Sequence, residues 1–342
     1  MRHRAKVLLV SVVVLVASVV VPATGAAAAT CAEIGHKVFV GDSDYAPNLD
    51  ADGDGVGCES FPDTSRPTYD STTGTGAGYW MIDEIGRLYP FGDAQRSGDP
   101  GEPLGSLGPD ANSATARVVK VVSSSDGSGY WVLDDSGTVH AYGVPQLGSV
   151  DMATLDADEK PSTMSPTPGD DGYWVFTSKG RVLTFGTATP MGDLTAFTLD
   201  GPIIDSVALP DGSGYYMLGS DGGVFAFGNA KFWGSVPQVL PGVMLDCPVG
   251  GIVPTSTLQG YWMVACDGGV FAFGDAGFRG SLPGLGVTPV QPVVGMVRNG
   301  SGYLMVASDG GIFNFSDQPF VGSLGGLQVP SPIVSVAVLP GA

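Results

Sequence analysis

Three aspartates at alternate positions, Asp50, Asp52 and Asp54, followed at once by Gly55, are the densest chemical signal in the 342-residue sequence. In a calcium loop, acids at positions one, three and five supply hard oxygen ligands, and a glycine at six permits the sharp turn. The carbonyl of Val56 is the natural next ligand. An EF-hand would carry glutamate at position twelve, where Phe61 stands; Glu59 comes two residues early, and no helical pattern flanks the loop. The loop therefore reads as a calcium site outside the EF-hand class. The competing reading is an acidic, glycine-rich turn that binds nothing tightly. Clustered carboxylates repel one another unless a cation offsets them, which favours Ca2+.

The complete pattern D-x-D-x-D-G-x-x-C-E resembles the Excalibur extracellular calcium-binding domain. Residues 30–59, "TCAEIGHKVFVGDSDYAPNLDADGDGVGCE", look like the entire module, upstream cysteine included. The resemblance implies Asp50, Asp52, Asp54 and Glu59 as calcium ligands, and Cys31 with Cys58 as a disulfide staple.

The chain opens with a basic stub (Arg2, Arg4, Lys6), an apolar run over residues 7–21 and a small-residue stretch ending near residue 29. This is the order of a secretory signal peptide, and the run is shorter than the roughly 20 residues that span a bilayer. A secreted or extracellular protein, with or without cell-wall association and without stable membrane insertion after cleavage, is the expectation. Without residues 1–29, 12 basic residues face 34 acidic ones, a net charge of −22. Such a surface repels nucleic acid and anionic lipid. Four cysteines in an exported chain imply two disulfides, and sequence order pairs Cys31 with Cys58 and Cys247 with Cys266. Neither C-x-x-C nor His-rich spacing is present, which argues against zinc.

Residues 61–77 read as a linker rich in Ser, Thr, Pro and Gly. From residue 78 onward the sequence repeats. A Gly-Tyr-aromatic triplet begins at Gly78, Gly129, Gly172, Gly214 and Gly260, and a sixth copy at Gly302 has Leu304 in its third place. Successive spacings are 51, 43, 42, 46 and 42 residues, a period that belongs to propellers and arrays. Each unit divides into a "GYYMLGS"-type strand, an Asp-Gly turn of expected type I′, a "VFAFG"-type strand, a segment ending in Gly-Ser or Gly-Asp, and an apolar strand such as "PIIDSVALP". Four strands per unit are thus expected, with the "VFAFG" strand apolar on both faces and covered on both. The first unit lacks its apolar strand, and the chain finishes with an orphan copy at 332–342. If that copy completes the first unit, six blades close into a ring and no sheet edge is left exposed. The weak point is "KPSTMSPTPGDDG" in the third unit, a poor inner strand.

The stretch "GYWMVACDGGVFAFGDAGFRGS" (260–281) resembles the repeats of secreted actinobacterial proteins, a likeness that covers 78–342. It implies a β-propeller and brings no established reaction with it; such arrays stand alone or beside cell-wall-acting domains. No sialidase box and no G-x-S-x-G elbow occurs. Of the histidines beyond the leader, His140 stands in the repeat column otherwise filled by Tyr89, Leu183, Phe225, Phe271 and Phe313, as a structural substitute. The repeated Tyr and Trp rings could stack on sugars, but one ring at a fixed repeat position reads more simply as blade packing.

The expected molecule is all-β: a six-bladed β-propeller closed by its C-terminal strand, preceded by a small disulfide-stapled calcium module. The leading function is non-catalytic binding of an extracellular protein or a cell-wall glycan. The alternative is a secreted hydrolase of glycans or esters, its site at the central channel.

Overall fold

The computed structural model describes residues 38–39, 56–57, 78–94 and 116–339, except 244, 246, 328 and 330. Within these lie six three-stranded antiparallel sheets, the arrangement that a six-bladed β-propeller requires, and one two-stranded pairing near the N-terminus. In that pairing Val38–Phe39 runs antiparallel to Val56–Gly57, so the carbonyl-bearing Val56 of the acidic loop stands opposite Phe39. Asp50, Asp52, Asp54, Glu59, Cys31 and Cys58, with the leader and the linker, lie outside the described residues.

The middle strand of each sheet begins with the glycine of the repeated triplet, or in the second sheet with the tyrosine after it. These strands are Gly78–Asp83, Tyr130–Asp134, Gly172–Thr177, Gly214–Gly219, Gly260–Ala265 and Gly302–Ala307, and every residue in them is buried. Two flanking strands and two neighbouring sheets enclose them, so both alternating faces are apolar. The inner strands are Val118–Ser123, Pro161–Pro166, Ile203–Ala208, Val249–Pro254, Val293–Asn299 and Ile333–Val338. The last of these pairs with Gly78–Asp83, so the first sheet is assembled from both ends of the chain. It also lies between the inner strands Val293–Asn299 and Val118–Ser123.

Pro161–Pro166 forms the inner strand of the third sheet despite its composition. Its polar side chains find partners in the fourth sheet: Ser162 Oγ donates to the Ile203 carbonyl (2.5 Å), and the Thr163 and Ser165 hydroxyls lie 3.2 and 3.3 Å from Ser206 Oγ. Satisfied polar groups replace the apolar packing that the other inner strands use.

Three expectations from the repeat are corrected. The outer strand of the second to sixth sheets, for example Val224–Gly228, is only half-covered, because it is the last strand of its sheet, whereas Leu88–Gly92 of the first is buried up to its glycine; the strand covered throughout is the middle one. The Asp-Gly turns are not type I′, which needs positive φ at both central residues. Only the glycine qualifies, with φ of 80°, 77° and 74° at Gly222, Gly268 and Gly310. Gly222 N–H donates to the Gly219 carbonyl and Gly219 N–H to the Gly223 carbonyl, a type I turn followed by a left-handed glycine. Asp221 stabilises it by accepting from Gly223 N–H at 3.0 Å.

The segments ending in Gly-Ser or Gly-Asp are not fourth strands. They are held by single bonds instead: the residue after each pair (Val150, Leu194, Val236, Leu282, Leu324) donates its N–H to the turn glycine of its own sheet. Each segment is also gripped by aromatic side chains. Tyr173, Tyr215 and Tyr303 donate their hydroxyls to the carbonyls of Gly148, Gly192 and Gly280 in the preceding unit, at 2.5, 2.6 and 2.5 Å. Tyr261 makes the same bond to Gly234, and Tyr79 to Gly322. These glycines have φ near 130°, and a Cβ on Gly234 would sit 2.5 Å from the Phe273 ring of the next sheet. A side chain is excluded there twice over.

Candidate functional site: the central channel

Every inner strand carries a register shift at the same place, and the residues immediately after it are Lys120, Thr163, Asp205, Gly251, Gly295 and Ser335. A bulge re-aims the strand at this level. Two of the six are charged and belong to the second and fourth sheets. Lys120 Nζ reaches Asp205 Oδ1 at 2.6 Å, spanning the third sheet, and Asp205 Oδ2 accepts from Ile252 N–H of the fifth at 3.1 Å. One carboxylate thus ties three sheets together in a nearly dry setting, its side chain 7% exposed against 24% for the lysine.

Beyond this ion pair, toward the face formed by the inner-to-middle turns, the strands enclose a cavity of about 480 Å³ lined by all six sheets. Its walls are mainly Val122, Met164, Val207, Ile252, Met296 and Val336. The ion pair sits where the lining begins along each strand, so it floors the cavity. At the mouth stand Asp170, from the third sheet, and Arg298, from the sixth. Asp170 is engaged by Ser125, whose N–H and Oγ donate at 2.9 and 2.6 Å. Arg298 is exposed and has no carboxylate partner among the described residues.

Other sequence-selected residues are structural. His140 lies opposite Val132, in the column where Tyr89, Leu183, Phe225, Phe271 and Phe313 face the equivalent middle-strand residue. Its Nε2 bonds Asp134 Oδ2 at 2.9 Å. Tyr89 does the same for Asp83, donating its hydroxyl to Oδ2 at 3.0 Å. Asp83 and Asp134 occupy one repeat position yet titrate in opposite senses. Burial pushes the Asp83 carboxyl up to about 6, against bonds from Arg87 and Tyr89. Burial also raises Asp134, but hydrogen bonds from His140 and Ser136 outweigh it and hold the carboxyl below its usual range.

The triplet aromatics pack between sheets. Trp80, Trp131 and Trp174 are fully buried, and the Nε1 atoms of Trp131, Trp174 and Trp262 donate to the carbonyls of Pro145, Thr189 and Gly277 at 2.9, 2.8 and 2.9 Å. In the sixth unit Leu304 cannot donate. Its cross-strand partner Asn314 does so instead, from Nδ2 to the Gln318 carbonyl at 2.8 Å. Cys247 and Cys266 are bridged, with Cα atoms 5.5 Å apart.

A second charged group lies at the third sheet. Glu159 receives Arg181 through Nε (2.9 Å) and Nη2 (3.0 Å), and Thr177 Oγ1 at 2.6 Å. Although burial raises its carboxyl, these bonds bring it down to about 2. Its partners lock it as a structural anion.

Sequence reading missed Lys120, Asp205 and Arg298. The signal was present as charged residues in a strand column that is otherwise apolar or small. Among the described residues, no group of three or more His, Cys, Asp or Glu side chains is placed to hold a metal ion, and no helix is long and apolar enough to cross a membrane.

Residues 24–59 match the Excalibur calcium-binding domain family. The match begins within the stretch read as leader and ends at Glu59. Its donor chemistry fits: Asp50, Asp52, Asp54 and Glu59 offer hard carboxylate oxygens, and Ca2+ is the cofactor of this part of the chain. No curated protein matches the chain. Among solved structures, a chain in a crystal structure of a nidogen/laminin complex is similar with a TM-score of 0.51 at 7% sequence identity. The similarity covers 77% of this chain and 98% of that one. At such an identity it speaks for the fold alone.

Proposed function

We propose that the protein is an exported calcium-binding protein. Its propeller, closed into a ring by the C-terminal strand, acts as a non-catalytic binding module at the cell envelope or outside the cell. The observation that carries this reading is the state of the carboxylates facing the channel. Asp205 is bonded to Lys120 and to the Ile252 amide, and Asp170 to Ser125. Each is committed to holding sheets together, whereas an acid–base pair needs carboxylates free to exchange protons with a substrate. The buried triplet aromatics support the same reading, since they hold neighbouring sheets and leave binding to the channel and the outer surface.

The N-terminal module supplies calcium dependence, and the leader supplies export. The partner class is an extracellular protein or a cell-wall glycan. The test uses the mature chain, residues 30–342, with millimolar calcium. It is incubated with insoluble cell-wall glycan and, in parallel, with chromogenic esters and glycosides. Co-sedimentation without turnover is the expected result. Turnover lost on substituting Asp170 would establish a channel hydrolase instead.

A further inference from the structure

The channel cavity has an asymmetry that its structural role does not use. Its floor is neutral, because Lys120 and Asp205 cancel at 2.6 Å. Its walls are apolar, and the acid at its mouth, Asp170, keeps its charge but is turned to the N–H and hydroxyl of Ser125. The one cation at the mouth is the guanidinium of Arg298, which has no carboxylate partner among the described residues and stands on a protein of strongly negative net charge. We propose that the channel is a binding site for a small amphipathic anion, with its apolar body in the cavity and its carboxylate at Arg298.

This proposal rests on the reading of the propeller as a binding module and names a ligand class for it. Two features fit that class. A volume of about 480 Å³ lies within the range of small-molecule sites, which are mostly apolar with few oriented polar groups. A guanidinium matches a carboxylate in shape and can bind it through two hydrogen bonds. A cationic amphiphile would meet the same walls and have only Asp170, already engaged by Ser125, to pair with, whereas Arg298 has no carboxylate partner among the described residues; displacement by the two signs separates them.

The experiment titrates the mature chain, with calcium, against the fluorescent anion anilinonaphthalene sulfonate, and then competes the probe with decanoate or decyltrimethylammonium. The expected result is saturable binding of one probe per chain, displaced by decanoate at least tenfold more effectively than by the cation. Arg298→Glu should weaken decanoate at least tenfold with an unchanged melting temperature, because the side chain is exposed. Ala208→Trp, in the half-buried wall, should abolish probe binding. Equal displacement by both amphiphiles, or an Arg298→Glu variant that binds decanoate like the parent, would overturn the proposal. Either failure leaves glycan co-sedimentation untouched, so failure of the channel assignment and failure of the binding reading are distinguishable.

Discussion

The hydroxyl of Tyr79 donates to the backbone carbonyl of Gly322, joining residues 243 positions apart. Tyr215 and Gly192 make the same bond between units that are adjacent in sequence. The chain runs directly between the units only in the second case, where the Tyr215 hydroxyl also accepts from Met191 N–H at 3.1 Å. In a closed ring Tyr79→Phe should therefore cost about 1 kcal/mol, and Tyr215→Phe more, since it also leaves the Met191 N–H without its acceptor. Urea unfolding of both variants checks this, and a silent Tyr79→Phe would mean that the first and last sheets part in solution.

Removing the last strand is the harsher version. Truncation after residue 330 deletes Ile333–Val338 and the Ser331 bond to Glu84, and leaves Gly78–Asp83 as an unpaired edge. Unpaired edges recruit other chains. Aggregation or loss of cooperative melting is expected by light scattering and calorimetry; a truncated protein melting like the parent would refute a role for this strand in closure.

The Cys247–Cys266 bridge closes the hairpin of the fifth sheet, joining positions 19 apart in sequence. A loop of that size stabilises by roughly 3 kcal/mol on chain-entropy grounds. The double serine variant should lose about that much in denaturant titration, and non-reducing peptide mapping should recover the pair as one linked species.

Much of this fold was readable because its determinants recur. A Tyr, a Trp in four of the six units, a glycine turn and a Gly-Ser or Gly-Asp pair appear at similar intervals, and each recurrence answers a packing requirement that returns from sheet to sheet. The turn class was not readable from Asp-Gly alone, since that pair serves both type I′ and type I with a left-handed glycine. The second glycine of "SDGG" and the Asp221 bond to it decide the outcome. The Gly-Ser segments looked strand-like by length, yet their bonds go to tyrosine hydroxyls and turn carbonyls, which no local pattern encodes. The channel was least legible. Lys120 and Asp205 lie 85 positions apart, each a single departure from its column, and only the topology brings them together.

For the N-terminal module the expectation is thermodynamic. About 30 residues bury too little apolar surface to fold unaided, so staple and metal must contribute. Extracellular calcium modules bind at about 10⁻⁴ to 10⁻³ M, and calcium at ten times its dissociation constant stabilises by roughly 1.4 kcal/mol. Calorimetric titration of the mature chain should show this binding. Replacing Asp50, Asp52 and Asp54 with Asn should abolish it while leaving the propeller's melting transition in place.

Asp83 gives the last prediction a definite sign. Its folded-state pKa of about 6 lies above the ordinary 3.8, because burial disfavours the carboxylate despite donors at Ile85, Arg87 and Tyr89. The folded state therefore holds this proton more tightly than the unfolded chain. Between those two pKa values it binds more protons, and stability must fall as pH rises. The contribution is complete below about pH 4 and gone above about pH 6, and the two-unit difference corresponds to about 3 kcal/mol at most. Asp83→Asn keeps an acceptor for the Ile85 and Arg87 amides and removes the titration. Compared with the parent by thermal melting from pH 4 to 7, it should gain relative stability as pH rises. Asp134→Asn should show the opposite sign in a lower window: His140 and Ser136 hold that carboxyl low, so the parent's advantage is present above about pH 4, is flat from there to pH 7, and is lost as pH falls below about 4. A slope from about pH 4 to 6 for Asp83→Asn, and one of opposite sign only below about pH 4 for Asp134→Asn, are the expected signature; slopes of one sign in one window would show that Tyr89 and His140 do not set the difference.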